Sequence, residues 1–304
     1  MGQLAFWKPE TKQAPSVVNV AQIPQRSPFR YPGGKTWLVP YIRTWLRSLK
    51  RRPSLFIEPF AGGGIVSLTA AFEDLVDHVI MVELDKSVAA VWKTLLSDDN
   101  DWLAERVSSF DMNLESLRGE LARKPKSTRM LGFHTLLRNR TCHGGILAPG
   151  SGVLKYGENG KGLRSRWYPE TLRKRIQNIK FVRDKITFVE GDGIEAVRKY
   201  ASDSKAVFFI DPPYTAAGKR AGSRLYTHCQ LDHEELFEQC KEIRGDFVMT
   251  YDVADELIAM AGARRFHVDT VSMKNTHHST MQELVIGKDL SWVNRKVQDP
   301  SEVR

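Results

Sequence analysis

Phe208-Phe209-Ile210-Asp211-Pro212-Pro213-Tyr214 is the stretch whose residue types and spacing best suit chemistry. An apolar strand runs into an acid, two prolines and an aromatic ring. The prolines lock the turn, so the Asp211 carboxylate and the Pro212 carbonyl hold one orientation. Two acceptors fixed side by side can grip the N–H bonds of an amine. An amine such as adenine's is a poor nucleophile, because its lone pair is delocalised into the ring. Held pyramidal, that lone pair can be aimed at a methyl donor, through positioning and electrostatic preorganisation. Tyr214 offers a flat face on which an extruded base can stack. The bland alternative is a proline-stiffened strand exit with a buried aromatic.

Two further stretches suit a bound nucleoside. Phe56-Ile57-Glu58-Pro59-Phe60-Ala61-Gly62-Gly63-Gly64 reads as a strand entering a glycine turn and then a helix. Such a turn lets a ligand approach the backbone and presents helix N-terminal N–H groups to it. The competing reading is a turn that only packs a helix on a strand. An acid about 20 residues after a glycine turn can take both hydroxyls of a ribose. In Val82-Glu83-Leu84-Asp85, Glu83 closes an apolar run and is directed to the ligand edge, while Asp85 is placed to cap the next helix. Alternatively, both acids simply begin that helix.

These residues need elements to hold them. Strands are expected at Leu55–Glu58, Val79–Glu83, Ile186–Val189, Val207–Ile210, Phe247–Thr250, Phe266–Val271 and Glu283–Ile286. Several are near-continuous apolar runs, as strands buried on both faces should be. Helical patterns lie between most of them, for example Ile65–Phe72, Val88–Leu96 and His233–Ile243. Alternating β and α elements predict an α/β fold with an open, mostly parallel, doubly wound sheet. From about Ser97 to Arg183 no good strand run occurs, and a connection that long must carry structure of its own. It is expected to be an inserted recognition domain between the second and third strands.

Composition narrows the classes of partner. The 304 residues suffice for one large α/β domain with an insertion, or for two ordinary domains. No stretch approaches the roughly 20 apolar residues of a membrane helix, and the N-terminal residues do not read as a secretory signal. Cys142, Cys229 and Cys240 lack metal-type spacing, which points to a reduced, cytoplasmic setting. His277-His278 and His228 with His233 lack carboxylate partners and ligand spacing, so no metal is expected. The net charge is +9, yet Arg118 to Arg183 alone holds sixteen Lys or Arg against three acids. A strongly basic stretch on an otherwise near-neutral body suits a polyanion docking on one region, a solvated basic face being the alternative.

Taken together, these stretches resemble the Dam-like, alpha-class DNA adenine-N6 methyltransferases. Phe29-Arg30-Tyr31-Pro32-Gly33-Gly34-Lys35 is similar to the family's N-terminal Gly-Gly-Lys motif, Glu58 to Gly64 to its cofactor loop, and Asp211-Pro212-Pro213-Tyr214 to its catalytic loop. The order, with a recognition insert between the last two, is also the family's, and the match spans roughly Ser27 to Leu290. The resemblance implies a Rossmann-like methyltransferase fold with a mixed sheet, an inserted mainly helical DNA-recognition domain, and S-adenosyl-L-methionine as cofactor. Tyr31 and Lys35 would lie at the cofactor's methionine end. Glu58, Phe60, Ala61 and Gly62 would wrap it, Glu83 would take the ribose, and Asp192 would face its adenine, a plain turn acid being the other reading. Asp211 would meet both the target amine and the cofactor.

Leu137-Arg138-Asn139-Arg140-Thr141-Cys142 resembles the family's Asn-Arg segment ahead of a DNA-contacting hairpin. Arg138, Asn139, Arg140, Lys155, Lys161, Arg164 and Arg166 are the expected DNA-binding residues, Arg being able to read guanine while Lys mostly meets phosphate. The stretch Ala216 to Thr227, with Lys219, Arg220, Arg224 and Tyr226, is expected to be mobile and to close over the DNA or the extruded base.

The expected boundaries are an arm at 1–26, a catalytic part at 27–96 and 184–290, a recognition part at 97–183 and a tail at 291–304. The expected activity is adenine-N6 methylation of double-stranded DNA by base flipping, in a cytoplasmic bacterial or phage-encoded protein, monomeric or weakly dimeric. Methylation of RNA adenine or another amino group, and a nucleic-acid-binding protein without catalysis, are the alternatives.

Overall fold

The computed structural model describes residues 20–31, 33–148, 150–154, 160–213, 231–274 and 280–293. Seven strands form one sheet in the order β3-β2-β1-β4-β5-β7-β6. They are β1 (Leu55–Glu58), β2 (His78–Glu83), β3 (Ile186–Glu190), β4 (Ala206–Ile210), β5 (Asp246–Asp252), β6 (His267–Lys274) and β7 (Thr280–Gly287). Strands β3, β2, β1, β4 and β5 pair in parallel, whereas β7 runs antiparallel to both β5 and β6. The sheet is therefore mixed, and every expected strand is present, with ends shifted by a few residues.

Burial explains the apolar runs. Every residue of β4 is buried, and so are Phe56, Ile57 and Glu58 of β1. One face of the sheet is covered by α1 (Val39–Ser48), α2 (Ile65–Phe72) and α3 (Lys86–Leu95), whose Trp45, Leu68 and Trp92 join Phe56, Val79 and Phe209 in one core. The other face is covered by α8 (Gly193–Tyr200), α9 (His233–Lys241) and α10 (Asp255–Ala263), which bury Val197, Phe237 and Leu257 against Ile57, Phe208 and Phe247. Asp85 caps α3 by accepting the N–H groups of Ser87 and Val88, which starts that helix two residues earlier than the apolar periodicity suggests.

Between β2 and β3, the chain after α3 forms α4 (Asn100–Ser108), α5 (Leu114–Leu121), α6 (Thr128–Thr141) and α7 (Pro169–Ile179). Their Leu103, Leu117, Phe133 and Ile176 belong to the same apolar cluster as Val91 and Trp92 of α3. Close packing continues across the junction: a Cβ on Gly132 would stand 3.0 Å from the Ala90 carbonyl oxygen. The helical region thus shares the core of one sheet face.

The chain reverses its winding between β1 and β4, which are neighbours although β2 and β3 lie to one side and β5 to the other. Ligands of open α/β sheets bind at such a switch point, beyond the carboxyl ends of the strands. Glu58 ends β1, Glu83 ends β2, and Asp211 follows β4 directly.

Candidate active site

A cleft lies at that edge of the sheet, with about 970 Å³ of space including its open mouth. It is lined by all nine residues expected to hold the cofactor, namely Tyr31, Lys35, Glu58, Phe60, Ala61, Gly62, Glu83, Asp192 and Asp211, together with Pro213. Among the described residues, five carboxylates, counting Asp85, and one cation, Lys35, line it.

The floor is the glycine turn. Gly62 and Gly64 have φ of +45° and +60°, a region open to glycine. A Cβ on Gly64 would stand 2.5 Å from both Met81 and Trp92, and one on Gly62 would stand 2.7 Å from the Tyr31 ring. The turn is stapled by the Trp92 indole N–H donating to the Gly62 carbonyl at 2.9 Å and the Ser27 hydroxyl donating to the Gly63 carbonyl at 2.6 Å.

Each acid is oriented by backbone donors. The two Glu83 oxygens accept the Gly62 and Asp85 N–H groups, both at 2.9 Å. A carboxylate has about four lone-pair sites, so both oxygens retain capacity for hydroxyl donors. Burial lifts the Glu83 carboxyl to about 7, against the lowering effect of those N–H bonds. Glu58 accepts the Ser67 N–H at 3.1 Å in the first turn of α2. Burial pushes it up to about 8; the bonds from Ser67 oppose this, Asp211 adds to it and Lys35 offsets part. The Asp192 Oδ1 caps α8, accepting the Ile194 and Glu195 N–H groups at 2.8 and 3.0 Å. The turn-acid reading and the ligand reading of Asp192 are therefore compatible, since the side chain caps a helix and lines the cleft at once.

At the catalytic end, the buried Lys35 ammonium donates to the Gly33 carbonyl at 2.9 Å and pairs with Asp211 at 2.8 Å and Glu283 at 3.2 Å. The Thr250 hydroxyl donates to the same Asp211 oxygen at 2.9 Å. Glu283 and Thr250 went unnoticed in the sequence. Both sit within strands, and only the placement of β5 beside β4, with β7 next beyond it, brings them to this corner. Pro212 is buried and Pro213 lines the cleft. Tyr214 and the stretch Ala216 to Thr227 lie outside the described residues.

The expected DNA-binding residues divide. Arg138, Lys161 and Arg164 are exposed, with Arg164 bonded to the Met112 carbonyl at 3.0 Å and paired with Asp111 at 3.2 Å. Arg166 is half-buried, and Lys155 lies outside the described residues. Asn139 and Arg140 depart from the expectation, because both are buried. The Asn139 amide accepts the Arg30 N–H at 2.8 Å and donates to the Arg30 and Gly145 carbonyls at 2.9 and 2.8 Å. Arg140 donates from Nε to the Pro28 carbonyl at 3.0 Å. With both amide N–H donors spent on backbone carbonyls and its side chain buried, Asn139 ties the N-terminal motif to α6 and is not exposed to a base edge. Among the described residues, no group of three or more His, Cys, Asp or Glu could hold a metal, and no helix is long and apolar enough to cross a membrane.

Known proteins bear on this site. A sequence model of the D12 class N6 adenine-specific DNA methyltransferases matches residues 31–272. The chain is similar to the Type II methyltransferase M.MjaIII of Methanocaldococcus jannaschii, with 25% identity over 234 residues, spanning 71% of this chain and 78% of that one. Solved structures it resembles include precorrin-6y C5,15-methyltransferase from Geobacter metallireducens GS-15, at 12% identity, TM-score 0.36, covering 82% of this chain and 86% of that one. Another is a putative RNA methyltransferase from Pyrococcus horikoshii, at 12% identity, TM-score 0.38, covering 85% and 84%. Likenesses that loose add nothing to the geometry above.

Proposed function

The chain belongs to the D12 class N6 adenine-specific DNA methyltransferase family, and from that premise we propose that it methylates adenine N6 in duplex DNA, on a base turned out of the helix. The observation that carries this reading is one cleft in which Asp211 and Pro213 meet Glu58, Glu83, Asp85 and Asp192. A ligand bearing a sulfonium and an ammonium suits a pocket lined by Asp85, Asp192 and Asp211 and by Glu83 and Glu58, which ionise as pH rises through about 7 and 8, so the residues present fit S-adenosylmethionine. Bound there, the cofactor would supply an electrophilic methyl group, its S–CH3 bond breaking as the bond to N6 forms.

The residues of the chain do the rest. Glu83 receives ribose hydroxyls on its remaining lone pairs, and Asp192 faces an adenine amino group beside Phe60. Asp211 and the Pro212 carbonyl accept the two N–H bonds of the target amine and hold its nitrogen pyramidal. Lys35 and Thr250 fix the Asp211 carboxylate at 2.8 and 2.9 Å, so it need not reorganise as charge develops. Glu283 acts through Lys35 by holding the ammonium in place. Tyr214 stacks on the extruded base, whose departure from the duplex is needed because N6 is otherwise engaged in pairing. The surplus proton on N6 leaves to water. The helical region from 97 to 183, with Arg138, Lys161, Arg164 and Arg166, forms the DNA-recognition part.

Incubation with methyl-labelled S-adenosylmethionine and duplex DNA, single-stranded RNA or protein tests the reading. Label is expected in N6-methyladenine of the duplex. Label confined to RNA or protein overturns it.

A further inference from the structure

Two arginines of the helical region point at the segment that precedes the Gly-Gly-Lys motif. Arg140 of α6, buried, donates from Nε to the Pro28 carbonyl, and Arg175 of α7, half-buried, donates from Nη1 to the adjacent Ser27 carbonyl at 3.2 Å. Arg175 occupies an inward position of α7, among the buried Leu172, Ile176 and Ile179. An apolar residue is the ordinary occupant there. The two guanidiniums thus meet neighbouring carbonyls of one chain segment. Arg30, two residues further on, is held by Asn139 through its backbone.

No carboxylate bonds to Arg140 or Arg175 among the described residues. Burial depresses Arg140 to about 9, and Arg175, Arg30 and Arg166 push it further the same way. A guanidinium hydrogen-bonded to one carbonyl keeps further N–H donors in a planar fork suited to a phosphate. Arg140 and Arg175, with no bonded carboxylate among the described residues, are costly to hold away from water, and an anion arriving from outside removes that cost. Surface charge alone does not explain the arrangement, because exposed lysines would serve for non-specific attraction.

We propose that Arg140 and Arg175, anchored on the Pro28 and Ser27 carbonyls, form the floor and wall of a seat for one phosphodiester group of the bound strand, with Arg30 and Arg166 at its rim. The seat rests on the DNA reading above and gives it a fixed point. It lies at the seam between α6, α7 and the segment leading to Tyr31, which lines the cofactor cleft. A phosphate held there sets the strand's register relative to that cleft.

Arg175→Gln tests this, because glutamine removes the charge while keeping a polar side chain at that position of α7. Removing one phosphate contact lowers the slope of log K against log salt by about 0.9. Between 50 and 200 mM salt, the wild type should therefore lose about 3- to 4-fold more affinity for duplex DNA than the variant does. Arg175→Lys should restore the wild-type slope. In a duplex series carrying one neutral methylphosphonate linkage, one position should weaken the wild type and leave Arg175→Gln indifferent. Inorganic phosphate alone, read as thermal stabilisation of the wild type and not of Arg175→Gln, probes the seat without DNA. If the wild type binds no duplex, the functional reading fails while the phosphate arm still answers for the seat. An unchanged salt slope in folded Arg175→Gln, or a methylphosphonate profile identical to the wild type, overturns the proposal.

Discussion

Replacing Glu58 by glutamine should make the protein more stable and its cofactor binding weaker. Glu58 is 4% exposed, and burial lifts its carboxyl from 4.5 to about 8. An acid whose folded pKa is raised costs nothing below its unfolded pKa. Its cost grows as pH rises and is complete above the folded pKa. At about 1.4 kcal/mol per unit, the ionised Glu58 carries a ceiling of about 5 kcal/mol above pH 8, about 3 kcal/mol at pH 7 and none below pH 4.5. Glutamine keeps an oxygen for the Ser67 N–H, now accepted at 3.1 Å, so the local hydrogen bond survives. Guanidinium unfolding at pH 5, 7 and 9 should show a gain that widens with pH. Calorimetric titration with S-adenosylmethionine should show the opposite effect on binding, because the ionised carboxylate faces a cationic ligand. Wild-type affinity should tighten as pH rises through about 7 to 8, and the variant's profile should be flatter. A variant less stable than the wild type at pH 9 would refute the reasoning, since Glu58 would then be a net contributor to stability when charged.

Three other substitutions address the supports of the site. Glu283→Gln weakens the hold on Lys35; kcat should fall by about 10-fold, worth about 1.4 kcal/mol, with cofactor affinity within about 2-fold, and unchanged kcat would remove Glu283 from the positioning chain. Gly64→Ala puts a Cβ 2.5 Å from Met81 and Trp92 at φ +60°, and should cost about 1–3 kcal/mol in chemical unfolding; a neutral result would show that the turn relaxes freely. Asn139→Ala leaves the Arg30 N–H and two carbonyls without their partner, so a loss of about 2–4 kcal/mol of stability is expected with no change in the salt slope of DNA binding. A changed slope at unchanged stability would return Asn139 to the DNA surface.

The sheet was legible because buried parallel strands write themselves as apolar runs, and β1 was readable to the residue. The cleft was legible because each of its main acids closes such a run: Glu58 after Phe56-Ile57, Glu83 after Met81-Val82, Asp211 after Phe209-Ile210. The contacts of Glu283 and Thr250 were not, since they depend on β5 lying next to β4, on β7 pairing with β5, and on Lys35 arriving from the N-terminal motif. Asn139 misled for a different reason. Polar residues in a basic stretch look like surface, yet a connection that crosses between helices and an N-terminal segment needs buried donors to satisfy its backbone. The independent-looking gap from 97 to 183 likewise gave no sign that its helices would extend the core beneath α3.

The central claim is that the Asp211 corner, and not merely the fold, performs the transfer. Single-turnover transfer of labelled methyl to duplex adenine by Asp211→Ala, alongside calorimetry of its S-adenosylmethionine binding, tests this most directly. The account predicts that transfer is abolished while cofactor binding remains measurable. Transfer at the wild-type rate by that variant would contradict it.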